Sequence, residues 1–128
     1  MGRVALDSSV LIALLNDNDS HHDLVYSRIK SVENHYEISA VTLMECLVGP
    51  FMESARAAAE IRRKIALAIG SIESVTDEIA VEAAKIRAMT KLKAPDSIIC
   101  ASARLTGATL WTLDQRLAKA HKGAILVA

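Results

Sequence analysis

"VALDSSVLIALL", Val4 to Leu15, sets a single acid between two apolar runs, and its reading decides the fold. Val4, Ala5 and Leu6 read as a short buried strand, whereas Val10, Leu11, Ala13, Leu14 and Leu15 recur at helical spacing. Between them, Asp7, Ser8 and Ser9 are residue types whose side chains accept hydrogen bonds from the free N–H groups at a helix start. Taken alone, Asp7 is a helix cap. A chemical role depends on what the rest of the chain brings beside it.

The chain has 128 residues, enough for one domain spanning 1–128; a chain of this size buries roughly two-thirds of its unfolded surface. No apolar run approaches the roughly 20 residues that a membrane helix needs. Asp7 also interrupts the first apolar run before it could serve as a signal peptide core. The expectation is a soluble, cytoplasmic protein with no membrane association. Cys46 and Cys100 lie in apolar surroundings with no C-x-x-C or His/Cys cluster nearby, so they read as buried free thiols, with no disulfide.

Lysine and arginine balance aspartate and glutamate at 15 each, for a formal net charge of zero. Any nucleic-acid contact must therefore be local. Tyr26, Tyr36, Phe51 and Trp111 complete the Phe, Trp and Tyr set, too few for the stacking platforms of single-strand binders.

No repeat or low-complexity linker interrupts the chain. "NDNDSHHD", Asn16 to Asp23, is a polar loop in which Asp19 or Ser20 can cap a helix running to about Glu33. His21 and His22, adjacent at its start, face different directions and read as solvent-exposed. "YEISAV", Tyr36 to Val41, is the second strand. A helix follows and ends near Gly49 and Pro50, and an Ala-rich helix runs from about Met52 to Ile69, closed by Gly70. "SIESV", Ser71 to Val75, is a third strand. Thr76 and Asp77 open a helix with Ile79, Ala83, Ile86 and Met89 on one face, and Pro95 starts another, from Asp96 to about Leu105, stopped by Gly107. "ATLWT", Ala108 to Thr112, is a fourth strand, Asp114 opens a short helix, and "AILVA" at the C-terminus is a fifth strand of open direction. Strands alternating with helices imply an α/β three-layer sandwich, a mainly parallel central sheet with helices on both faces.

Four acids fall at comparable places in this scheme. Asp7 follows the first strand, Glu45 lies early in the helix after the second, Asp96 opens a helix, and Asp114 follows the fourth strand. Each has a structural reading of its own. Glu45 could complete a capping box with Thr42, and Asp96 and Asp114 could favour the positive end of a helix dipole. Together they map to the carboxyl edge of an open parallel sheet, where ligand sites form. Four carboxylates in one pocket repel each other unless cations bind. Hard oxygen donors with no His or Cys among them point to Mg²⁺ or Mn²⁺.

At these residues the sequence resembles a known family. "LDSSVLIALL", "ISAVTLMECL" and "APDSIICASARLTGATLWTLD" look like the acidic blocks of PIN-domain ribonucleases, most of all the VapC toxins of toxin–antitoxin pairs. The resemblance spans nearly the whole chain in order. It implies a PIN-like fold with Asp7, Glu45, Asp96 and Asp114 as the catalytic, metal-holding quartet. Ser8 or Ser9, and Thr112 in "T-x-D", match small hydroxyl residues near the site, although helix caps and strand-end hydrogen bonds explain them equally. Many relatives place another acid two residues after the last aspartate, where this chain has Arg116, so one strong metal site is expected rather than two. Cys100, Ala101, Ser102 and Ala103 would let their helix approach the sheet closely.

The implied activity is metal-dependent endoribonuclease cleavage of tRNA, rRNA or mRNA, leaving a 5′-phosphate and a 3′-hydroxyl, with a VapB-like antitoxin as partner. Arg56, Arg62, Arg63 and Lys64, or Arg87, Lys91 and Lys93, could draw RNA to an acidic site; as ordinary solvated helix faces they need no such role. Leu43, Leu47, Val48 and Phe51, with Ala55, Ala58, Ala59 and Ile65, offer more apolar surface than so small a domain can cover, and predict a homodimer. Two other readings compete. A receiver-like signalling domain also gathers acids and Mg²⁺ at a sheet edge, but it would carry an acidic pair after the first strand and a phosphate-pairing lysine after its last core strand. A PIN domain used in RNA maturation, or an inactive RNA-binding scaffold, would share the quartet.

Overall fold

A computed structural model describes residues 2–127. β1 (Arg3–Leu6) passes through Asp7 into α1 (Ser8–Leu15), and α2 (His22–Ser31) folds back against it. β2 (His35–Ser39) runs directly into α3 (Ala40–Glu53), which is followed by α4 (Ala55–Ala68) and β3 (Ser71–Glu73). The hairpin of α5 (Asp77–Thr90) and α6 (Ala94–Thr106) leads to β4 (Thr109–Thr112), α7 (Gln115–Ala120) and β5 (Ala124–Leu126). The strands form one five-stranded sheet in the order β3-β2-β1-β4-β5, and every neighbouring pair is parallel.

Pleating sorts the side chains into two cores, because successive strand residues point to opposite faces. Val4 and Leu6 of β1 and Trp111 of β4 pack with Val10, Leu11, Val25, Cys46 and Ile65 beneath α1 to α4. Ala5 and Leu110, one residue along in each strand, pack instead with Ile79, Ile86, Ile99, Cys100 and Leu117 beneath α5, α6 and α7. Each of these apolar strand positions is at most 6% exposed. That explains why the strands read as short apolar runs rather than as alternating patterns. The small stretch Cys100–Ala103 is buried against the sheet as expected, and Cys46 and Cys100 are free, buried thiols.

Several local expectations need correction. Asp19 and Ser20 do not cap α2: the cap position is His21, with no side-chain cap bond, and Asp19 accepts the His21 N–H at 2.8 Å in an Asx turn. Nor does the helix after β2 stop at Gly49 and Pro50. It continues to Glu53: Pro50 has no N–H to donate, but its carbonyl accepts the Ser54 N–H at 3.0 Å, so the last turn still closes. Ser54 then ends α3 and caps α4 through the Ala57 N–H. Residues Ala40 and Val41 belong to α3 rather than to β2, since Ser39 accepts the Val41 N–H and starts the helix there. Asp96 lies inside the first turn of α6, whose cap position is Lys93. The final strand is parallel and pairs with β4; Ala128 lies outside the described residues. No described helix is long and apolar enough to cross a membrane.

Candidate active site

The sheet changes winding direction between β1 and β4. From β1 the chain progresses outward to β2 and β3 on one side, whereas β4 and β5 lie on the other. A crevice at the carboxyl end of such a switch point is where open parallel sheets bind ligands. Asp7 stands at the end of β1, and Thr112 and Asp114 at the end of β4.

Asp7 has two roles. It is a cap: its Oδ1 accepts the Val10 N–H at 3.0 Å. It is also the hub of the crevice. Oδ1 accepts the Ser9 hydroxyl at 2.6 Å, Oδ2 accepts the Thr112 hydroxyl at 2.5 Å, and the Asp7 N–H extends the ladder to the Trp111 carbonyl at 3.1 Å. At 4% exposed, the carboxyl has its pKa raised, first by burial, with these hydrogen bonds opposing and the Asp114 charge adding to the rise.

The remaining acids are held by separate elements. Glu45 lies in the second turn of α3, too far along for a capping box, because Ser39 is the cap; it accepts a hydrogen bond from the Ser8 hydroxyl of α1. Asp114 caps α7 through the Arg116 N–H at 2.8 Å, and its own N–H donates to the Thr112 hydroxyl at 2.9 Å. Ser9 accepts the Leu113 N–H at 3.1 Å, tying α1 to the β4 end. Asp96, half-buried in the first turn of α6, has its pKa raised by burial and then by the charges of Glu45, Asp114 and Asp7, while Lys93 pulls it down. Four acids far apart in sequence thus share one electric field.

Among the described residues, no three His, Cys, Asp or Glu side chains already stand close enough to enclose an ion. The convergence foreseen from the sequence is one of edge and field, short of an assembled cage. Each of Asp7, Glu45 and Asp114 is turned to its own hydrogen-bond donors, an arrangement that separates like charges.

The cations divide. Lys93 acts on Asp96, whereas Arg63 is taken by Glu60 at 2.6 Å on the exposed face of α4, and Arg62 beside it is exposed. Sequence reasoning missed the Ser8–Glu45 link, which only the packing of α1 on α3 creates. It also missed Glu37, 1% exposed in the middle of β2, which pairs with Arg3 at 2.7 Å and accepts the Thr106 hydroxyl at 2.7 Å. This clamp joins β1, β2 and α6; a charge in a strand pattern was its one available signal.

The match to the PIN domain family model runs over residues 4–123. The chain belongs to the PIN domain family. That membership replaces the receiver-like alternative. Among solved structures, a toxin–antitoxin complex from Klebsiella pneumoniae superposes with a TM-score of 0.82 at 24% identity, covering 98% of each chain. A VapC toxin of Mycobacterium tuberculosis, described as cleaving the sarcin–ricin loop, gives 0.76 at 21% identity over 91% of this chain and 94% of that one. DNA-bound VapBC from Salmonella typhimurium gives 0.75 at 20% identity over 100% of both. At these identities the likeness is one of fold. Among curated protein sequences there is no match.

Proposed function

We propose that this PIN domain is a divalent-metal-dependent endoribonuclease that acts as the VapC-like toxin of a toxin–antitoxin pair. The observation that carries the reading is the alignment of Asp7, Glu45, Asp96 and Asp114 along one edge at the β1/β4 switch point. The donor set suits a hard cation: it is carboxylate oxygen with hydroxyls behind it. Cys46 and Cys100, the nearest soft donors, have their pKa pushed up to about 12 by burial and by these same carboxylates, so they remain thiols.

Asp7, Glu45, Asp96 and Asp114 would hold Mg²⁺ or Mn²⁺, which when bound supplies a water of lowered pKa and offsets charge on phosphate oxygens. The protein's own contribution is positional. Ser9, Thr112 and the Val10 N–H fix both oxygens of Asp7, Ser8 orients Glu45, and the start of α7 orients Asp114. Lys93 offers a positive charge beside Asp96, where an approaching phosphodiester needs one.

The partners follow from surfaces. An apolar cavity of about 350 Å³, lined by Ile12, Leu15, Cys46, Pro50 and Ile61, opens beside Glu45, so an antitoxin segment seated there would shield the acidic edge. Met44, Val48, Phe51 and Met52 are 55%, 55%, 62% and 84% exposed along α3 and form the surface offered to a second copy. Of the residues expected to form that surface, Leu47, Ala58 and Ile65 are buried within the domain instead, where α3 and α4 pack on each other and on the sheet. The toxin–antitoxin neighbours support the partner assignment, since the Klebsiella pneumoniae and Salmonella typhimurium structures are of such complexes.

The test is direct. Purified protein incubated with tRNA, rRNA and mRNA is expected to cleave at least one in Mg²⁺ and none in EDTA, leaving 5′-phosphate ends. RNA left intact in both conditions by antitoxin-free protein would overturn the reading.

A further inference from the structure

A cavity of about 690 Å³ opens between α5, the C-terminal end of α6 and the α7–β5 connection. It lies where β4 and β5 begin, the edge of the sheet opposite the four acids. Its charged walls are one-sided. Lys85, Arg104 and Lys122 line it against the single carboxylate of Glu82, with the His121 ring beside them. Arg104 Nη1 forms an ion pair with Glu82 Oε1 at 3.7 Å, too long for a hydrogen bond, so its N–H groups keep capacity to donate to a ligand.

Two glycines border the cavity. Gly107 ends α6 at φ +75°, the left-handed conformation that glycine adopts without strain. A Cβ on Gly123 would lie 3.0 Å from His121 Nε2, a tight contact that the ring would have to yield to by a few tenths of an ångström. Burial and the charge of Arg104 both lower the His121 pKa, which favours a neutral imidazole able to donate or accept a hydrogen bond. Ile86 and Ala108 add apolar wall. The volume falls in the range of small-ligand pockets, and three cations facing one carboxylate are relieved by an anion.

We propose that this cavity binds a phosphate-bearing ligand, with Arg104, Lys85 and Lys122 around the phosphate and Ile86 and Ala108 against its organic part. The same chemistry has two sources: a free nucleotide, or the backbone of an RNA strand. Arg104 stands eight residues after Asp96 on the same helix, about 12 Å along its axis, so a strand held at the acidic edge has a second phosphate anchor within reach. The assignment does not rest on the nuclease reading.

Calorimetric titration of the intact chain with inorganic phosphate, adenosine monophosphate and a short single-stranded RNA tests it. Arg104→Ala and the charge reversal Lys122→Glu, both at exposed positions, are expected to weaken binding at least tenfold. Asp96→Asn is expected to leave binding of phosphate and the mononucleotide unchanged, whatever it does to cleavage. Loss confined to phosphate and the mononucleotide supports a free-nucleotide site, and loss confined to RNA supports a strand anchor. Absence of binding by the wild-type chain to all three probes, or equal affinities in wild type and both variants, overturns the proposal.

Discussion

Glu45 shows how a single residue separates a structural role from a chemical one. Its only side-chain hydrogen bond among the described residues comes from Ser8, and Gln could accept the same bond. Glu45→Gln should therefore fold normally and keep antitoxin binding, while ribonuclease activity falls by orders of magnitude, because the site works by charge. Retention of more than about a tenth of the wild-type rate, roughly 1.4 kcal/mol of barrier, would return Glu45 to a purely structural role. Asp96→Asn should likewise abolish Mg²⁺-dependent cleavage with the fold intact. It also has a signature in stability. The folded-state pKa of Asp96 is raised above its ordinary 3.8, so the folded chain binds more protons than the unfolded one as pH rises through and above that value. Its contribution to stability is thus present at low pH and is lost on deprotonation. Metal-free melting curves should show the wild type losing stability relative to Asp96→Asn between about pH 4 and neutrality; parallel curves would remove the repulsion argument.

At the scale of elements, the junctions are what the acidic edge depends on. Thr112 is fully buried at the end of β4, and its hydroxyl donates to Asp7 and accepts from the Asp114 N–H. Thr112→Val keeps the shape but strands two polar partners, a loss of about 1–3 kcal/mol, visible as a lower denaturation midpoint together with reduced cleavage. An unchanged midpoint would mean that the β1 and β4 ends are held by backbone pairing alone. The strand–acid–helix junctions of β1 and β4 were legible from residue type, since Asp7 and Asp114 both cap the helices that follow. The α3–α4 boundary was not. Gly49 and Pro50 are ordinary stop signals, yet α3 runs through both to Glu53, and Ser54 ends it and caps the next helix.

For the whole molecule, the exposed apolar row on α3 sets the expected assembly. Phe51→Asp combined with Met52→Glu should convert a homodimer to a monomer by light scattering at micromolar concentration, leaving the fold unchanged because both side chains are exposed. A wild-type monomer under the same conditions would exclude this surface as a self-association face. A basic cavity at one sheet edge and an acidic crevice at the other, within a chain of zero net charge, show how little overall charge says about local binding capacity.

The order of strands and helices, the free buried thiols and the four acids at or shortly after helix starts were determined by the sequence alone. Apolar periodicity, capping chemistry and dipole preference are all local, and each acts within a few residues. Tertiary structure alone decided that β1 and β4 lie side by side, which brings Thr112 onto Asp7 across 105 positions. It decided that Ser8 is the residue that holds Glu45, that Glu37 is an internal clamp, and that Lys85, Arg104 and Lys122 surround one cavity. These arrangements depend on which faces pack together, and the free energy that selects them comes from burying the two cores, a property of the assembled chain rather than of any stretch within it.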